Sequence, residues 1–124
     1  MAYITLLGLE NDLADQLSQV LGAQHHHVHI TDSMDEAVRP GRADIVFCTG
    51  DVPNYREMVH ELAQRGSHLA AVVVNRLPEN GRWLDALELG AADYCGAPFE
   101  PLLMRWLVDS VLRRGRAATA AAAA

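Results

Sequence analysis

Few residues of this 124-residue chain have the types and spacing that chemistry needs. Glu10 and Asp51 each follow an apolar, β-compatible run, and two carboxylates brought together with loop carbonyls can hold a hard, oxygen-seeking cation such as Mg²⁺. His25, His27 and His29 alternate along another such run, with His26 on the opposite side, so a period of two offers three imidazoles to Zn²⁺ or Ni²⁺. Plainer roles compete: solvated loop acids, with Asp51 suiting a turn, and polar side chains that keep an edge strand from pairing with other sheets. Thr49 carries a hydroxyl, but at the end of a buried strand it is poorly presented to a kinase. Cys48 and Cys95 are each embedded in a hydrophobic strand candidate at a spacing that matches no common metal or redox motif, and they read as small buried hydrophobes.

The elements that must position these groups are legible from periodicity and punctuation. Tyr3 to Leu7 reads as a strand, and Leu13, Leu17, Val20 and Leu21 as a helix capped by Asn11 or Asp12 and closed by Gly22. His25 to Ile30 is a second strand. Ser33 to Glu36 has the form of a capping box that opens a short helix stopped by Pro40. Asp44 to Cys48 is too apolar to alternate and is expected at the centre of a parallel sheet, followed by a helix with Met58, Val59 and Leu62 that ends at Gly66. Leu69 to Val74 is the fourth strand, and a helix starts at Asn80 or Gly81. Gly90 sits where a left-handed residue would end that helix, Asp93 to Cys95 is the fifth strand, and Pro98 and Pro101 end it and open a last helix. Leu102, Leu103, Trp106, Leu107 and Val111 give that helix a broad apolar face.

Five strand–helix units in a row, joined by right-handed crossovers, predict an α/β fold: a flavodoxin-like, doubly wound, five-stranded parallel sheet of order 2-1-3-4-5 with five helices. Ligand sites in such sheets lie at the carboxyl ends of the strands, here the loops after Leu7, Cys48, Val74 and Cys95. The length suits one domain, placed at 1–115, with the alanine-rich 116–124 as a tail or linker start. A formal net charge of -6 argues against a fold-wide attraction to nucleic acid or anionic lipid. No apolar run approaches the roughly 20 residues that cross a bilayer, and the N-terminus has neither a basic n-region nor a cleavage site, so a cytoplasmic location is expected. No Gly-rich phosphate loop, nucleophile elbow or His-containing cofactor motif marks an enzyme.

ALELGAADY followed by Pro98-Phe99 is similar to the pattern ALxxGAxDYxxKPF of response-regulator receiver domains, the CheY-like family, and ADIVFCTGDVP to its PDLVLLDxxxP. The resemblance covers Ile4 to about Arg114. It implies that the family's acidic, Mg²⁺-holding pair falls on Gly8 and Leu9, its phosphorylated aspartate on Thr49, its hydroxyl on Asn75 and its lysine on Ala97. None of the five residues is kept. Without the acceptor carboxylate no acyl phosphate forms, and a leucine donates no oxygen to a cation. Tyr94 matches the aromatic that couples to the site in receivers, and a half-buried structural tyrosine is the alternative.

The resemblance therefore implies a phosphorylation-independent pseudo-receiver: a non-catalytic signalling module of a bacterial two-component or phosphorelay type, with no cofactor and no metal. Its partner would be another protein, or a second copy, on the helix 4, strand 5, helix 5 face. Arg76, Trp83, Asp93 and Arg105 are the candidate residues there, with Arg82 beside them, and Trp106 fits the core side of its own helix. Two other readings stand beside it. One is a small-molecule or metal-ion sensor using the vacated pocket of Gly8, Leu9, Thr49, Asn75 and Ala97. The other is an atypical phosphoacceptor through Asp51.

Overall fold

A strand covered on both faces belongs in the middle of a sheet, and β3 (Ile45–Thr49), every residue of which is buried, takes that place in the computed structural model. Around it lie β1 (Tyr3–Leu7), β2 (His27–Thr31), β4 (Ala70–Asn75) and β5 (Asp93–Gly96), all parallel, in the order β2-β1-β3-β4-β5. This is the flavodoxin-like arrangement. The helices are α1 (Asn11–Ala23), α2 (Met34–Ala37), α3 (Tyr55–Arg65), α4 (Asn80–Glu88) and α5 (Pro101–Ala123), so the alanine run continues α5 to Ala123. The structure describes residues 2–66, 68–77 and 80–123, and for 80–83 and 115–123 the backbone alone.

The pleat divides the sheet's side chains between two cores. Ile4, Leu6, Phe47 and Val74 meet Leu13, Leu17 and Leu21 of α1 and Met104, Leu107, Val108 and Val111 of α5. Leu7, Val46, Cys48 and Val73 meet Ala37 of α2, Val59 and Leu62 of α3 and Ala86 of α4. Each fully buried Leu, Ile or Phe contributes about 1.5–3 kcal/mol relative to exposure. Gly90 is required twice over: φ is +105°, and a Cβ there would lie 2.9 Å from that of Ala63.

Several local expectations need correction. Glu10, in an extended conformation, precedes α1 and offers no side-chain cap, so neither Asn11 nor Asp12 is the cap residue. Gly22 lies inside that helix, and the left-handed residue after it is His25, at φ +67°. β2 accordingly starts two residues later than His25. Half of the capping box forms: Ser33 Oγ accepts from the Glu36 N–H at 3.2 Å, while the Glu36 carboxylate turns instead to Thr31, His29 and Arg42.

The largest difference is on α5. Its buried stripe is Met104, Leu107, Val108 and Val111, whereas Leu102, Leu103 and Trp106 are 69%, 65% and 63% exposed. Trp106 is therefore not on the core side, because the helix turns its 103–106–110 stripe outward.

Candidate functional site at the strand ends

Parallel register brings the residues after β1, β3, β4 and β5 to one end of the sheet. Leu7 opposes both Thr31 and Cys48, Thr49 opposes Val74, and Asn75 opposes Gly96. Gly8 turns there at φ +70°, donating its N–H to Thr31 O at 3.0 Å, and a Cβ on it would meet Thr49 Cγ2 at 3.6 Å. Leu9 is buried in the core beside α1 and α5. Thr49 is buried, and its Oγ1 accepts the Asp51 N–H at 3.1 Å. Ala97, half-buried, packs on the same core as Leu9.

The polar centre is built by Asp51, Asn75 and Arg76. Asn75, buried at the end of β4, donates from Nδ2 to Asp51 Oδ1 at 2.8 Å, and the Arg76 backbone N–H donates to Asp51 Oδ2 at 2.9 Å. The Arg76 guanidinium then reaches across to the start of α1. Nη1 and Nη2 each meet one oxygen of Asp12 at 2.8 Å, and Nη2 also meets Glu10 Oε2 at 2.8 Å. The two-pronged match of guanidinium to carboxylate is the strongest geometry such a pair has. It holds the Asp12 carboxyl below the ordinary aspartate range and Arg76 above its own. Gly50 leaves room for this packing, since a Cβ there would come within 2.6 Å of Asn75 Oδ1 and 2.8 Å of Val73 Cγ1.

Glu10 and Asp51 thus both meet Arg76, Glu10 through the guanidinium and Asp51 through the backbone N–H. Two participants were missed in the sequence. Asp12 read as a cap, and Arg76 read as part of the interaction face, although the fold puts it in register with the acids. The available signal was position: Arg76 directly follows Asn75, at the same level of the sheet as the β1–α1 loop.

The other candidates disperse. Asp93 accepts the Tyr94 N–H and lies 3.4 Å from Arg114, while Arg105 is exposed on α5. The Trp83 and Arg82 side chains lie outside the described residues. Tyr94 is half-buried against the core under α3 and α4.

The three-histidine surface does not form. His25 is in the turn after α1, His27 stacks on Tyr3 with ring centroids 4.9 Å apart, and His29 Nε2 meets Glu36 at 2.8 Å. Among the described residues no three His, Cys, Asp or Glu side chains are arranged to hold a metal. The Cys48 thiol, buried in β3, is pushed up to about 12 by desolvation and stays protonated.

No family model and no curated protein matches the sequence. Solved structures do match in three dimensions, response regulators and their receiver domains among them. NtrX from Brucella abortus in complex with ADP superposes with a TM-score of 0.85 at 17% identity, over 98% of this chain and 28% of that one. A two-component response regulator from Clostridium difficile gives 0.75 at 18% identity over 90% and 95%. A response regulator receiver domain protein from Clostridium thermocellum gives 0.78 at 15% over 94% and 98%. This chain thus spans little more than a quarter of the NtrX chain and nearly all of the other two. At such identities the likeness is one of fold. Among the described residues no helix is long and apolar enough to cross a membrane.

Proposed function

We propose that the protein is a phosphorylation-independent pseudo-receiver, a non-enzymatic module of two-component-type signalling in the cytoplasm that works by binding protein. The observation that carries this reading is the Arg76 bridge. The guanidinium already satisfies Glu10 and Asp12, and Asn75 with the Arg76 backbone satisfies both oxygens of Asp51. That donor set does not fit a divalent cation, because Glu10 and Asp12 are already paired with the Arg76 guanidinium, Asp51 is held by neutral N–H donors, and Gly8 and Leu9 bring no further side-chain oxygen.

The surface that supports recognition is the α4–β5–α5 face. Leu103, Trp106, Ser110 and Arg114 follow one another at helical spacing, and Arg114 reaches Asp93, so this exposed stripe borders β5. On α4, Leu84 and Leu87 are exposed on a different side from Asp85, which meets Tyr55 and Arg56 of α3. On this reading these exposed apolar side chains supply the contact surface.

Incubation with acetyl phosphate and Mg²⁺ is expected to leave the mass unchanged. An adduct of roughly 80 Da that disappears in Asp51→Asn would overturn the proposal in favour of phosphorylation at Asp51.

A further inference from the structure

On the opposite end and face of the sheet, the short α2 leaves the start of β1 and β2 without a helix over it. The strand row Tyr3, Thr5 and Leu7 runs beside His27, His29 and Thr31, and α2, only four residues long, begins beyond the end of β2. The chain returns to β3 through Gly41 at φ +79°, where a Cβ would meet nothing within 4 Å. What remains is an open cleft of about 440 Å³ lined by Tyr3, Ile4, His27, Val28, His29, Gly41 and Arg42. That volume lies in the range of small-ligand sites.

The lining has two distinct parts. One is an aromatic platform: the Tyr3 and His27 rings stack at 4.9 Å with an interplanar angle of 16°, and Tyr3 is 56% exposed. The other is cationic. Arg42 meets Glu36 Oε1 through Nη2 alone, at 3.1 Å, which leaves the other guanidinium donors for a ligand. Glu36 is further occupied by His29 and the Thr31 hydroxyl, and Asp44 Oδ2 by the Tyr3 N–H at 2.9 Å. The acids beside the cleft, Glu36 and Asp44, are thus each engaged by its lining residues, and the lining itself is not acidic.

We propose that this cleft binds a small planar aromatic acid, its ring on the Tyr3–His27 platform and its carboxylate or phosphate on Arg42. The inference is independent of the strand-end reading, since it uses none of those residues.

The test is a titration of the ¹⁵N-labelled chain, followed by amide chemical shifts, with phenyl phosphate in one arm and benzoate in the other. Saturable shifts centred on Tyr3, His27 to His29 and Gly41 to Arg42 are expected, and the tighter arm identifies the acid group. Arg42→Ala and, separately, Tyr3→Leu should each weaken binding roughly tenfold while the amides of Leu17 and Phe47 keep their positions. Inorganic phosphate binding as tightly as phenyl phosphate would remove the role of the ring. No saturable shift up to about 10 mM in either arm, or binding indifferent to Arg42→Ala, would overturn the proposal.

Discussion

The strand-end cluster and the α4–β5–α5 face are finished in opposite ways. At the strand ends Glu10, Asp12 and Asp51 each meet a donor supplied by the chain itself. Beside β5, Leu103 and Trp106 on α5 and Leu84 on α4 are more than half exposed, with apolar area that the chain does not cover. A polar group paired internally has little left to gain from a ligand, whereas apolar surface in water gains from whatever covers it. On the proposed function, this difference makes the strand ends part of the scaffold and leaves recognition to the flank.

If the strand ends are scaffold, they must be packed as scaffold, and Gly50 tests this with the largest expected effect. Gly50→Ala forces a methyl against Asn75 Oδ1 and Val73 Cγ1, both inside hydrogen-bonded or buried packing. A loss of about 2–3 kcal/mol is expected from overpacking. Urea midpoints at unchanged slope measure it. A variant as stable as the parent would show an open, adaptable site, and the contrast between the two regions would fail.

The flank is tested the other way, by a change that should leave the fold alone. Leu103→Ser with Trp106→Ser removes apolar side chains that are 65% and 63% exposed, so stability should stay within about 0.5 kcal/mol. Light scattering of the parent chain at high concentration should show a species heavier than the 13.5 kDa monomer, and the double variant should return it to the monomer. A parent chain that is monomeric throughout would sink self-association on this face.

The fold was legible because its signals are local and repeated. The all-apolar β3, the glycine at 90 and the prolines at 98 and 101 each specify backbone geometry without reference to distant residues. The site was legible only as a set of absences. Gly8, Leu9, Thr49, Asn75 and Ala97 stand where the resemblance expects chemical groups, but the contacts made at the strand ends join residues 64 and 66 positions apart, and no local pattern ties Arg76 to Asp12 or Glu10. Trp106 was misplaced for a related reason. Helical spacing groups Leu102, Leu103 and Trp106 with Leu107 when the apolar stripe is drawn broadly, and only the position of the sheet decides which half of the helix is covered.

The smallest effect separates the two regions by their physics. The Arg76 guanidinium lowers the Asp12 carboxyl, and a group lowered on folding adds stability that is present above its ordinary value of 3.8 and is lost as pH falls through the lowered folded one. Arg76→Ala should therefore raise the Asp12 titration part of the way back, read by carbon NMR of its carboxyl, the remainder being held by backbone N–H groups at the start of α1. Parent and variant should differ in urea midpoint at neutral pH and converge in acid. Because Arg76, Asp12 and Glu10 all retain solvent contact, about 1 M NaCl should shrink the same difference, whereas association through Leu103 and Trp106 should persist or strengthen there. Salt that dissolved the association while leaving the Asp12 titration fixed would reverse the assignment, making the flank the electrostatic surface and the strand ends the shielded one.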